Sequence, residues 1–258
     1  MSELNIPIHP ILIFIVVLAR VGGMVTFAPF WSHKAVSVQI RIVLAMILSL
    51  ALTPILSSRL PTPPSDLLPL ASVIVLELLV GAAFGFVGRL VFSGIEMAAQ
   101  IIGFQMGFSL AGTIDPSTQA QTAALGVLGQ MLGLIVLMGS NGHHWFLLAT
   151  MRSFHQIPVG SAHITADVAQ LFLRLSADAL AVGVALAAPA IVMLLAVELA
   201  LAIAGRAIPQ IQVMVLGFPV KIFAGLWLLG GSLYFMPAAV RSSFAAMETA
   251  LNRLASLM

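Results

Sequence analysis

Six charged side chains stand inside or at the ends of long apolar runs: Arg20, Glu77, Arg89, Asp178, Glu198 and Lys221. A charge at bilayer depth costs about 2.5–3.5 kcal/mol on insertion scales and is carried only where protein or water answers it. Two chemistries compete for these groups. Arg20, Glu77 and Glu198 read as buried charges that pair across helices or subunits and hold an assembly together. Losing one partner of such a pair costs about 3–5 kcal/mol. Glu77, Asp178 and Glu198 can instead be read as a proton relay of a proton-coupled small-molecule transporter, although no inverted repeat of the transporter kind is visible. Lys221, two residues after Pro219 in "GFPVK", falls near a helix start, where the helix dipole disfavours a cation. It therefore needs an acidic or carbonyl-rich surface beside it, or it snorkels from the helix end into solvent.

Other reactive groups fail on spacing. "GFSLAG" (107–112) approaches a nucleophile elbow, but it reads G-x-S-x-x-G and no strand precedes it. His143 and His144 are adjacent and point apart on a helix, and none of the six histidines shows the i,i+4 spacing of a helical zinc site. There are no cysteines, hence no disulfide or thiolate site. No catalytic residue, metal or cofactor is expected, and the chain does not read as an enzyme. The formal charge of +2 is small and scattered, without the basic patch that nucleic acid requires.

One polar stretch stands out against its surroundings: "GFQMGFSLAGTIDPSTQAQTAALG" (103–126). Glycine supplies backbone freedom there, Ser109 and Thr113 are polar without charge, and Asp115-Pro116 is a turn signal. By itself the stretch fits an ordinary connection between helices.

The elements that must position these groups are apolar helices. Of 258 residues 60% are hydrophobic and 8% charged, against about 45–50% and about 25% in soluble domains. Too little charge is present to clothe a soluble globule, so the chain is a membrane protein or part of a membrane assembly. Runs long enough to span as helix, about 20 residues, fall near 8–30, 40–57, 67–94, 122–140, 178–204 and 212–236. "PTPPSD" (61–66) is a turn, "HQIPVGSAHITAD" (155–167) a polar connector, and 238–258 an amphipathic helix with Val240, Phe244, Met247, Leu251, Leu254 and Leu257 on one face. "MSELNIPIHP" has no Lys or Arg before the first run and no cleavage site follows, so that segment is expected to stay in the mature protein. Gly22-Gly23, Pro29, Gly81, Gly85, Gly88, Pro189, Pro219 and Gly230-Gly231 are expected to break the helices, which is tolerated at depth only where protein or a cavity satisfies the freed backbone. Gly81/Gly85, Gly103/Gly107 and Gly129/Gly133 have the small-xxx-small spacing of close helix packing. Lys and Arg lie on both sides of any alternating topology, so orientation is unreadable from charge. The thirteen methionines are core filler, with Met106 beside the polar loop the one suited to a surface that seals and yields.

The ordered set of motifs resembles the R component of the flagellar type III export gate, the FliR family, over nearly the whole chain. "ARVGGMVTFAPFWSHKAVSVQIRIVLAMILSLALTP" (19–54) carries Arg20, Pro29-Phe30 and Arg41 in the family's opening pattern, with Ser37 where many relatives have proline. "GFQMGFSLAGTIDP" (103–116), "NGHHWFLLATMRSFHQIPVG" (141–160) and "RAIPQIQVMVLGFPVKIFAGL" (206–226) complete it, and the Gly-His and Ser-Phe-x-x-x-Pro elements look flagellar.

The resemblance implies an all-α, membrane-associated subunit of broken and kinked helical hairpins, assembled into a helical channel complex. Residues 1–175 would be P-like, with a plug loop at 106–122, and residues 176–258 Q-like with a C-terminal amphipathic helix. The plug would comprise Met106, Gly107, Phe108, Ser109, Leu110, Ala111, Gly112, Thr113, Ile114, Asp115 and Pro116. Pro209, Gln210, Pro219 and Lys221 would form the cytosol-side gate and touch a B-type export component. P-like and Q-like subunits, basal-body rod proteins, the membrane and unfolded flagellar substrates would be the other partners. The site would be the bacterial inner membrane within the flagellar basal body, raised toward the periplasm.

Overall fold

The computed structural model describes residues 8–33, 36–57, 60–61, 64, 66–107, 119–139, 141–163, 165–207, 217–228, 230–231, 249–254 and 256–257. Every regular element among them is helical: α1 (Ile8–Phe27), α2 (Val38–Leu56), α3 (Leu67–Gln105), α4 (Gln119–Gly139), α5 (Gly142–Gln156), α6 (Ala166–Ala207) and α7 (Gly217–Leu228). A short helical stretch at 249–254 follows. Four of these, α1, α2, α3 and α6, are long and apolar enough to cross a membrane. At 39 and 42 residues, α3 and α6 run about 60 Å, twice the hydrocarbon thickness of about 30 Å.

Most residues expected to break helices do not. Gly22 and Gly23 lie inside α1, Gly81, Gly85 and Gly88 inside α3, and Pro189 inside α6. A glycine in a helix costs about 0.5–1 kcal/mol relative to alanine. That cost is offset where the missing Cβ lets another backbone in. A Cβ on Gly81 would run into the Arg20 carbonyl, and one on Gly85 would lie 2.6 Å from the Met24 carbonyl oxygen. The i,i+4 pair is thus the groove in which α1 crosses α3. Pro29, by contrast, lies just beyond the end of α1, where its ring cannot clash with a preceding turn.

By internal contacts the chain forms two compact units. The first comprises 1–90, 141–175 and 244–258, the second 91–140 and 176–243. The chain enters each unit more than once, because α3 and α6 each contribute one end to either unit. A linear division at 175/176 meets one of these crossings but not the others.

In the first unit α1 buries Ile13, Val16, Val17, Val21 and Met24, and α3 buries Val80, Phe84 and Val87. Phe146 of α5 fills the space left by Gly88 and meets Trp31 edge-on, with centroids 6.0 Å apart. α2 is built the other way round from a soluble helix. Its buried stripe is Ala45, Ser49, Thr53 and Leu56, with both hydroxyls returned to the carbonyl four residues back, while Ile42, Val43, Ile47 and Leu50 are exposed. Ser37 caps α2, accepting from the Ile40 N–H at 3.4 Å, so it has a helix-start function. Arg41 locks the turn before it by donating to the carbonyls of Ser32, His33 and Val36.

The second unit packs Ala98, Ile102 and Met106 of α3 with Ala187, Ala190 and Leu194 of α6, and with Ile222, Ala224 and Leu228 of α7 against them. Four of these nine are alanine, and the helices approach closely at the glycines. Ala179 meets Gly94, and Ala99 meets Gly129 of α4.

Candidate functional site

The first unit encloses a polar box. The Arg20 and Glu77 side chains are both 0% exposed, with Arg20 Nε donating to Glu77 Oε2 at 2.5 Å. The other guanidinium nitrogens donate to Ser153 Oγ and to the Ile157 carbonyl, each at 3.2 Å. Glu77 Oε1 accepts from the Gly160 N–H at 3.0 Å, and Phe154 lies under the guanidinium, 4.1 Å from its centroid. Gly160 reaches Glu77 from a turn closed by Ser161 N–H to the Pro158 carbonyl, at a position with φ +75° that favours glycine. Each of the three guanidinium nitrogens has a partner, as do both carboxylate oxygens. That is the condition under which a charge pair survives in a dry interior.

The box therefore joins three segments that are distant in sequence: α1, α3 and the end of α5 with its connector. Arg20 and Glu77 were legible as charges in apolar runs. Ser153 and Gly160 sat inside the "SFHQIPVG" motif without a role of their own. α5 itself falls outside the six apolar runs, because it is a short amphipathic helix that buries only Gly142, Phe146, Thr150, Ser153 and Phe154.

In the second unit the polar loop has a fixed root. α3 ends at Gln105, Met106 is fully buried, and Gly107 takes φ +87° with its N–H bonded to the Phe104 carbonyl. This is the left-handed helix end that glycine makes without strain. A Cβ on Gly107 would lie 2.8 Å from the Phe218 ring, and Gly225 of α7 opens the notch that receives the Met106 thioether. Gly107 is thus a helix terminus, not half of a helix-packing pair. Of the loop, Phe108, Ser109, Leu110, Ala111, Gly112, Thr113, Ile114, Asp115 and Pro116 lie outside the described residues, as do Pro209 and Gln210, and Val240, Phe244 and Met247 of the C-terminal segment.

Glu198 is not buried: its side chain is 55% exposed and meets Lys221 Nζ at 3.0 Å, with the lysine 19% exposed. The counter-charge that Lys221 needed near its helix start comes from α6 of the same chain. Pro219 stands in the first turn of α7, where a missing N–H costs nothing. Asp178 is exposed too. With Glu77 committed at both oxygens and Glu198 paired at the surface, none of the three acids is laid out as a buried relay station. Among the described residues no group of three metal-ligating side chains occurs.

Residues 11–247 match the family model for bacterial export proteins, family 1. The flagellar biosynthetic protein FliR of Caulobacter vibrioides is 34% identical over 84% of this chain and 86% of its own length. FliR of Escherichia coli K12 is 30% identical over 89% of this chain and 84% of its own, and FliR of Bacillus subtilis is 30% identical over 94% of each. The chain, an all-α protein with four helices among the described residues long and apolar enough to cross a membrane, belongs to this family of FliR export proteins.

Proposed function

We propose that this multi-pass inner-membrane member of the flagellar export apparatus is a channel subunit through which unfolded flagellar proteins pass. It does so in a hetero-oligomer with P-like and Q-like subunits, and the stretch 106–122, whose last four residues open α4, closes the lumen as a plug. The observation that carries the reading is the root of that loop. Met106 is clamped in the Gly225 notch and Gly107 turns the chain out of α3, so a polar, glycine-bearing segment leaves from a rigid base. A closure has to move at its tip and stay fixed at its root, and a lumen-facing closure must not adhere to passing chain. Uncharged Ser and Thr with glycine meet both needs.

Two further features support the hairpin arrangement. α6 and α7 meet through Lys221 with Glu198 and Gly217 beside Leu201, and share the Met106 cluster, as a Q-like hairpin would. The apolar outer face of α2 is suited to lipid or to neighbouring subunits. The segment between α6 and α7, with Pro209 and Gln210, and the start of α7, with Pro219 and Lys221, are in this reading the end that meets a B-type export component.

The test is deletion of Leu110 to Ile114 with measurement of dye or ion leakage in cells expressing the complex. Leakage should rise while the complex still assembles. Unchanged leakage with an intact complex rules out the plug.

A further inference from the structure

The polar stretch connects the end of α3 to the start of α4, and these two helices run antiparallel. Gly129 of α4 sits against Ala99, Gln130 against Glu96, and Gly133 against Phe92 and Ile95, so the contacts step back along α3 as α4 advances. Two glycines four residues apart thus line the α4 side of the crossing. A Cβ on Gly129 would stand 2.1 Å from the Ala99 Cβ, and one on Gly133 would stand 2.9 Å from the Phe92 ring. Such an interface is close, and it is also repetitive. Sliding α4 by one helical turn, about 5.4 Å, brings Gly133 to the place of Gly129 against Ala99. Leu137, buried in the observed register, then comes to Phe92 and Ile95. What Gly133 meets there is side-chain ends rather than backbone, and these can turn aside.

The polar contact in the crossing does not survive that slide. Gln130 Nε2 donates to Glu96 Oε1 at 2.6 Å, with both side chains partly buried. Four residues beyond Gln130 stands Leu134, so the slid register sets a leucine beside the carboxylate. A hydrogen bond to a charged group is directional and roughly twice as strong as a neutral one. A single polar group in an otherwise apolar helix interface is the device that fixes register where shape leaves it open.

We propose that the Gln130–Glu96 bond is the register lock of the α3–α4 hairpin, and that it sets how far the stretch between the two helices reaches. The inference rests on the reading of that stretch as a plug. Its incoming end is fixed at Met106 and Gly107. Its outgoing end is the start of α4, which a one-turn slip displaces by about 5.4 Å. A closure that seals against ions has no slack of that size.

The chain has no cysteine, so an introduced pair reports register by forming a disulfide. Ile95 Cγ2 lies 3.3 Å from where a Gly133 Cβ would stand, so Ile95→Cys with Gly133→Cys reports the observed register. Ile95→Cys with Leu137→Cys reports the slid one. Both pairs are oxidised with copper phenanthroline in membranes holding the complex, and the linked peptides are quantified by mass spectrometry. The first pair should bridge and the second scarcely at all. Adding Gln130→Leu should raise the second bridge at least about tenfold, the weight of a hydrogen bond to a charged group. Gln130→Glu alone, which sets two carboxylates face to face, should do the same. Glu96→Gln with Gln130→Glu exchanges amide and carboxylate across the pair and should return the bridge to its low level. Dye leakage in cells expressing the complex should rise with Gln130→Leu and fall again when the first bridge is closed in that background. An unchanged second bridge in both Gln130 variants overturns the lock. A Gln130→Leu chain that slips without leaking, while deletion of Leu110 to Ile114 does leak, overturns its hold on closure. If that deletion is silent too, the plug reading fails and the two bridges alone decide the lock.

Discussion

The two compact units solve the same problem, holding apolar helices in fixed register, by opposite means. The first uses charge: Arg20 and Glu77, fully buried, tie α1, α3 and the α5 connector with four hydrogen bonds. The second uses shape: Gly94 against Ala179, Gly129 against Ala99, and Met106 in the Gly225 notch. Its ion pair, Lys221 with Glu198, is half in the open. Charge in a dry interior is directional and fails as a whole when one member goes. Shape degrades gradually where the neighbour is a flexible side chain, as Met106 is at Gly225, and abruptly where it is backbone, as the Ala179 carbonyl is at Gly94.

The sharpest way to break this contrast is inside the box. Glu77→Ala should destabilise the protein by about 3–5 kcal/mol, since it leaves Arg20 buried with no counter-charge. The double variant Arg20→Met with Glu77→Leu should recover most of that loss, because two apolar chains of similar volume need no partners. Thermal unfolding of the detergent-solubilised protein measures both. A double variant as unstable as the single one would mean that the box acts through geometry, not through charge compensation.

The next effect down is steric and compares glycines. Gly81→Ala drives a Cβ into the Arg20 backbone carbonyl, which cannot move without parting α1 from α3, and should cost about 1–3 kcal/mol. Gly225→Ala meets only the Met106 side chain, a flexible thioether that can re-pack, and should cost about 1 kcal/mol, at the low end of that range. Gly22→Ala meets nothing within 4 Å and should instead stabilise by about 0.5–1 kcal/mol through helix propensity. Melting temperatures in that order support the two-mode picture. A Gly225→Ala penalty equal to that of Gly81→Ala would show the second unit to be as unyielding as the first.

The same contrast governs how much was legible in the sequence. Charges in apolar runs are conspicuous, so Arg20 and Glu77 could be picked out before any geometry was known. Their partners could not, because Ser153 and the Gly160 N–H are ordinary in type and become polar anchors only through the approach of segments 133 and 83 residues apart. The helix count suffered for a related reason. Glycine was weighed by its local cost, whereas α1 and α3 run on because close packing at Gly23, Gly81 and Gly85 offsets it, and Pro189 is simply carried within α6. α5 was missed as an element because apolar length was the criterion, and its stability comes from one buried face on the first unit. Glu198 looked buried because its neighbours are apolar, but apolar neighbours here are themselves exposed, as at Leu195 and Leu199.

The smallest expected effect lies at that exposed pair, and it separates stability from function. An ion pair open to solvent on one side contributes about 0.2–1 kcal/mol and fades with salt. Glu198→Gln and Lys221→Ala should each shift thermal unfolding only slightly, and less at high ionic strength, where the Debye length shrinks. If Lys221 serves only its partner on α6, both variants should export flagellar protein as the unmodified chain does. If the lysine also meets a B-type component, Lys221→Ala should lower export and pull-down of that component while the P–Q–R core stays assembled. Lys221→Arg should keep part of both, since the charge survives while its geometry changes. Glu198→Gln then decides the direction of the coupling. It frees the lysine from its internal partner, so a lysine that competes between the two should bind the external component more tightly, and one that needs Glu198 to hold it in place should bind more weakly. Export and pull-down indistinguishable from the unmodified chain in all three variants would leave the pair as a minor clasp of the α6–α7 hairpin and nothing more.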